Sequence, residues 1–309
     1  MTNTNQGKDI RWGTPSEKSM AFRLFKQHIT QLNNSYWANF PAANTIKKLI
    51  KKETEKNKNL NPIDYFIVQD EHDRRLASDF QSWEESYGRF NRDVRMNMVM
   101  SISSCFEVYF RSIVALSIES SPGIMFHAKN AIDGASLLKR QSDYSNFNAK
   151  KYPFQQAVFS VTKGNWGKRK SCYEKLFEES PDFLIKNSNQ LEDLRKSRNR
   201  IGHYFGRTEE KYSVPTQFVT EEPNGTSHHQ LIKFLELTEK TAEAIDQHLF
   251  SEFIGAYELL KFYFISLPQK LKNKELYCRA QWLQEEMAKH LPSKGTQYYK
   301  DLLSYFDSI

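Results

Sequence analysis

Arg198, Asn199 and His203 fall within six residues of one another in the stretch Leu194-Arg195-Lys196-Ser197-Arg198-Asn199-Arg200-Ile201-Gly202-His203. An imidazole titrates near neutrality and can take up or release a proton. A guanidinium is a permanent cation. Once withdrawn from water it must be matched by a carboxylate, an interface or a bound anion. On a helix, Asn199 and His203 stand at i and i+4 and share a face, with Arg195 and Arg200 near it. Arg198 precedes His203 by five positions, about 140° around an ideal helix. The two converge only through the reach of the arginine, a distortion at Gly202 or a second subunit.

Leu191, Leu194, Ile201 and Phe205 form one apolar stripe along a helix expected over residues 187–205. Arg198 occupies the i+7 place of that stripe, where a Leu is expected. Glu107 presents the same anomaly inside Cys105-Phe106-Glu107-Val108-Tyr109-Phe110, sharing a face with Phe110 and Val114. Two charges of opposite sign on apolar stripes predict that Glu107 meets Arg198 or Arg195 where their helices pack. A buried ion pair that only fixes helix register is the alternative.

The elements that must carry these residues read as helices throughout, an all-α bundle. Residues 1–18 read as a polar tail, residues 20–32 as a short helix, and Lys47-Lys48-Leu49-Ile50-Lys51-Lys52 as a basic stretch running on to Lys58. That stretch reads as a solvated helix face or an RNA-backbone contact. Asn61-Pro62 marks a boundary. An amphipathic helix is expected over 71–92 and a long apolar helix over 94–119, stopped by Ser120-Ser121-Pro122-Gly123. Short helices follow over 124–140, 154–162 and 171–179, with a loop at 141–153. After the helix 187–205, which Gly206 can cap, residues 207–228 read as a loop or small hairpin. Residues 229–264 form one long helix or two in line. Helices over 269–290 and 296–306 finish the chain. The organisation expected is an N-terminal tail and basic helical extension (1–60), a helical domain (61–266) and a C-terminal helical extension (267–309).

With 309 residues, 39% hydrophobic and 26% charged, the chain can bury a sizeable core and is not expected to be disordered. Gly and Pro (12 and 10) are too sparse to punctuate a sandwich or barrel. A net charge of +7 attracts phosphate backbones modestly. Cys105, Cys172 and Cys278 make no Cys-x-x-Cys pair and read as reduced thiols of a cytoplasmic protein. The N-terminus lacks an apolar signal segment, and no run of 18 apolar residues stands out, so no membrane contact is expected. Neither a phosphate-binding glycine loop nor a nucleophile elbow is present. His228-His229 lacks further ligands at metal spacing, so no metal or cofactor is expected. Trp166, ahead of Lys168-Arg169-Lys170, reads as a loop aromatic packed on the core or as a base-stacking residue.

The stretch around Arg198 and His203 resembles the motif of HEPN-domain ribonucleases: an arginine, a polar residue that is often Asn, further spacers and a histidine. Here four residues intervene. The family also often carries a polar or acidic residue in its first long apolar helix, a role Glu107 would fill, and a long final helix. The resemblance covers roughly residues 63–265. It implies a two-fold homodimer whose motifs line one cleft, and metal-independent RNA cleavage by 2′-OH transesterification. His203 would act as general acid or base, Arg198 would hold phosphoryl oxygens, and Asn199 would orient His203 or the phosphate. Glu107 and Arg195 would support them, and Lys196, Arg200 and Arg207 would contact RNA. It also implies a toxin or antiphage setting, with a regulatory protein as a further partner. The family tyrosine two residues after the histidine is replaced by Phe205, with Tyr204 directly after His203, so regulation by tyrosine AMPylation is not carried over. The rivals are a non-catalytic HEPN-like module binding RNA, nucleotide or protein, and a helical scaffold.

Overall fold

A computed structural model describes residues 10–13, 17–66, 72, 75–129, 131–140, 154–206, 223–292 and 294–309. Among them the chain is all helical, without a strand. The helices are α1 (Met20–Lys56), α2 (Phe80–Ser120), α3 (Gly134–Arg140), α4 (Gln155–Thr162), α5 (Trp166–Phe177), α6 (Asp182–Tyr204), α7 (His228–Leu249), α8 (Tyr257–Ser266), α9 (Leu276–Ala288) and α10 (Thr296–Ser308). The expected hairpin falls largely in 207–222, outside the described residues, as do the 141–153 loop and Arg207.

Several elements differ from the sequence expectation, each for a visible reason. The short helix 20–32 and the basic stretch are one helix of 37 residues. Its buried side chains, Phe22, Phe25, Ile29, Tyr36, Ala43 and Ile50, settle into a seven-residue repeat, which carries the helix through Pro41. The helices expected over 71–92 and 94–119 are one of 41 residues. α7 and α8 are two helices, separated by a π-helical turn, Phe250–Ile254, and by Gly255 at φ +54°. A Cβ at Gly255 would lie 2.7 Å from the Arg11 carbonyl oxygen, so the close approach of residues 11–12 requires glycine.

The sequence also hid a membrane-length segment. α2 contains an 18-residue window long and apolar enough to cross a bilayer, although 44% of it is buried inside the protein. Its apolar residues serve the packing: Val99, Ile102, Phe106, Tyr109, Phe110, Ile113, Val114 and Ile118 are all buried.

The chain divides into two compact units. The first holds Met1–Lys26, Phe106–Glu192 and Glu239–Ile309, and the second holds Gln27–Cys105 and Asp193–Thr238. Aromatic rings dominate the first core. Phe110 lies between Trp166 and Tyr173, with centroids 5.6 and 6.3 Å away, and Phe25 packs on Phe106 and Tyr109. Such contacts add to area burial by about 0.5–1.5 kcal/mol each.

Two charged centres are also buried in this unit. The Arg11 guanidinium is fully buried and donates to Asp133 Oδ1, Ser120 Oγ and the Ile254 carbonyl, tying the N-terminal segment to the end of α2 and to the π-turn. At the start of α1, the Ser19 N–H donates to Asp246 Oδ2 at 3.2 Å and the Met20 N–H to Glu258 Oε2 at 3.1 Å. Carboxylates from α7 and α8 thus satisfy amides that α1 leaves open at its first turn. Burial pushes both acids up, and Glu258 reaches about 8.

In the second unit, His228 at the start of α7 lies flat on Phe40, 4.1 Å between centroids, and its Nδ1 is 2.7 Å from the Tyr36 hydroxyl. Arg95 Nε donates to the Thr226 carbonyl at 2.6 Å. These contacts join α1, α2 and the start of α7 inside the unit that carries the Arg198–His203 stretch. They also give His228 a structural use.

Candidate functional site

α6 begins after Pro181, with Asp182 in its first turn, where an acidic residue complements the helix dipole. Its buried face is Leu184, Leu191, Leu194 and Ser197. The apolar stripe therefore passes through Ser197, which is 7% exposed, and not through Arg198 as the spacing suggested. Arg198 stands beside that face, half-buried, and Ile201 is half-buried as well. Phe205, the last expected member of the stripe, is 70% exposed.

Arg198 and Asn199 are brought together: Arg198 Nη1 donates to Asn199 Oδ1 at 3.0 Å. His203 lies on the last turn of α6, exposed, with its ring edge-on to Tyr204 at 6.2 Å. Arg195 and Arg200 are half-buried and Lys196 is exposed. Among the described residues Arg200 Nε is buried without a hydrogen-bond partner. The last turns of α6 therefore carry four basic side chains, of which Lys196 is exposed, and end on one exposed imidazole.

The end of α6 is fixed by a tight turn. Phe205 and Gly206 both take left-handed backbone, at φ +52° and +82°. The Gly206 N–H donates back to the Arg200 carbonyl at 3.1 Å, and its own carbonyl accepts from the Asn224 N–H at 3.0 Å. A Cβ at Gly206 would stand 3.1 Å from Met96 Sδ and 3.2 Å from Pro223 Cβ. Glycine is thus required here by both φ and space, as the cap expected from sequence. Phe205 has no such freedom, and its conformation costs about 1–2 kcal/mol.

Glu107 pairs with Arg169, whose Nη2 is 3.4 Å from Oε1. Arg169 is buried on α5, donates from Nε to the Gly164 carbonyl and lies over the Trp166 ring at 4.9 Å. The sequence reading did not single out Arg169 as a buried residue. The signal was present: Trp166, Arg169, Tyr173 and Phe177 are spaced as one helix face, and all four are buried. Trp166, 3% exposed and stacked on Phe106 and Phe110, is a core residue and not a base-stacking one.

A cavity of about 670 Å³ in the first unit was not foreseen; Lys129, Glu179, His248, Glu252 and Phe253 are among its lining residues. The Tyr173 hydroxyl lies 2.8 Å from His248 Nδ1, and burial pushes the imidazole down from its ordinary value. Lys129 pairs with Glu252 at 2.8 Å and sits over the Phe253 ring. The cysteines are free; Cys105 is half-buried, and burial pushes its thiol up to about 11, which leaves it unreactive at neutral pH.

No family model, no curated protein and no solved structure matches the chain.

Proposed function

We propose that the chain is a HEPN-type endoribonuclease acting on RNA, with Arg198, Asn199 and His203 as its working residues. The observation that carries this reading is His203, whose imidazole is exposed on the same final turns of α6 that hold Arg198 and Asn199. In the reaction, the ribose 2′-oxygen bonds to phosphorus as its proton passes to a base. The bond from phosphorus to the 5′-oxygen breaks, and that oxygen takes a proton. The products are a 2′,3′-cyclic phosphate and a 5′-hydroxyl. His203 supplies one of the two proton transfers, a contribution of typically 10²–10⁴-fold. Arg198, held by Asn199, offsets charge on the phosphoryl oxygens. Arg195, Arg200 and Lys196 lie on the same turns and add sequence-independent affinity for the backbone. Because Arg198 and His203 point about 140° apart on one helix, the reading assigns the working pair to two copies of the chain across a two-fold axis.

A second reading is favoured by one observation: Asn199 accepts from Arg198, a use that needs no chemistry. On that reading the chain is a non-catalytic HEPN-like module that binds RNA, nucleotide or a protein partner. Incubating the protein with RNA and with matched DNA in EDTA, alongside Arg198→Ala and His203→Ala, separates the two. The nuclease reading expects RNA alone to be cut, with both folded variants inactive. Binding of RNA without cutting, unchanged in His203→Ala, supports the second.

A further inference from the structure

Phe205 combines two costs. It adopts left-handed backbone, which L residues with a Cβ avoid, and it exposes 70% of an aromatic side chain to water. Its position is also fixed. The Phe205 N–H donates to the Ile201 carbonyl, and Gly206 behind it is buried, bonded to Arg200 and Asn224 and crowded by Met96. The backbone is therefore fixed while the ring stays exposed, two residues from the exposed His203. Strained conformations that persist at such a place point to a ligand contact. An exposed aromatic face on a fixed backbone, close in sequence to basic side chains, suits an unpaired nucleobase, since every base has a π-face to stack.

We propose that Phe205 is the stacking platform for an unpaired base next to the scissile phosphate. This rests on the ribonuclease reading above. A base inside a duplex is already stacked on its neighbours and is not offered to the ring, so duplex RNA gains nothing from Phe205.

The test measures binding of a short fluorescein-labelled 2′-O-methyl oligoadenylate, which lacks the attacking hydroxyl, alone and annealed to its complement. Phe205→Ala should weaken single-strand binding roughly 5- to 150-fold, the range for loss of one stacked base, and leave duplex binding unchanged. Phe205→Trp should retain wild-type affinity. Phe205→Gly removes the backbone strain as well as the ring, so it should bind as weakly as Phe205→Ala and yet melt at a higher temperature than wild type. A residue with a purely structural role would not separate binding from stability in this way. Equal single-strand affinity in wild type and Phe205→Ala overturns the proposal. So does a loss of self-association in Phe205→Ala at unchanged affinity, which would assign the ring to contact with a second copy. RNA cutting by the wild type is scored separately. Cutting with no Phe205 effect sinks the inference alone, Phe205-dependent binding without cutting sinks the ribonuclease reading alone, and no binding of any strand sinks both.

Discussion

Replacing Glu258 with Gln should make the protein more stable at alkaline pH and somewhat less stable in mild acid. Glu258 is 7% exposed; its Oε2 accepts from the Met20 N–H, while Oε1 is buried without a hydrogen-bond partner among the described residues. Desolvation is the largest cause of its rise from 4.5 to about 8, with Asp246 adding repulsion and the Met20 amide opposing. Between pH 4.5 and about 8 the folded protein keeps a proton that the unfolded chain has released. Stability therefore falls with rising pH across that window, by about 1.4 kcal/mol per unit. The acid's contribution is complete below 4.5 and gone above about 8. Taken at face value the window amounts to about 5 kcal/mol. Gln keeps the acceptor for Met20 and mimics the protonated acid, but its amide nitrogen inherits the unpartnered position, at a cost of about 1–3 kcal/mol. The net gain expected at pH 9 is then about 2–4 kcal/mol, with a flatter profile. Asp246, raised by the same burial, leaves some slope in the variant. Urea unfolding of wild type and Glu258→Gln at intervals from pH 5 to 9 reads this directly. Parallel profiles would refute the claim that Glu258 is folded in its neutral form.

Gly206→Ala should lower stability by about 1–3 kcal/mol, from left-handed strain plus crowding against Met96 and Pro223, read as a lower urea midpoint at constant m-value. Glu107→Ala removes the carboxylate 3.4 Å from the buried Arg169 guanidinium, whereas Glu107→Gln keeps an acceptor. The Ala variant should lose about 1–2 kcal/mol, a figure reduced from the fully buried case because the Glu107 side chain is 30% exposed, and the Gln variant should lose less. A thermal-melt series of the two checks that order. If the working pair is shared between two copies, mixing equal amounts of inactive Arg198→Ala and His203→Ala protein should restore about a quarter of wild-type cutting, since half the dimers are mixed and each has one intact site. No recovery after exchange would place the pair within one chain.

The all-α architecture was legible because Gly and Pro are scarce and apolar residues recur at helical spacing, as in α2 and α6. Helix limits were less so. The basic residues after Lys47 broke the apparent pattern of α1, although Tyr36, Ala43 and Ile50 continue its buried repeat. On α6 the spacing of Leu191, Leu194 and Ile201 allowed either Ser197 or Arg198 to complete the stripe. A short hydroxyl is cheaper to bury than a guanidinium, and packing chose Ser197. The same reasoning would have succeeded on α5, where Arg169 sits between Trp166 and Tyr173 and is buried. That Glu107 pairs with Arg169 was out of reach because a periodic pattern identifies a buried face but not what packs against it. The left-handed turn at Phe205 was equally hidden, since sequence marks Gly206 as the cap and gives no reason for the residue before it to share its conformation.

The central claim is tested most directly by the ends of the RNA fragments the full chain produces in EDTA. The account predicts 2′,3′-cyclic phosphate and 5′-hydroxyl ends from wild type, with Arg198→Ala and His203→Ala folded but at least about 10²-fold slower. RNA left intact by wild type, or cut equally fast by His203→Ala, would contradict it.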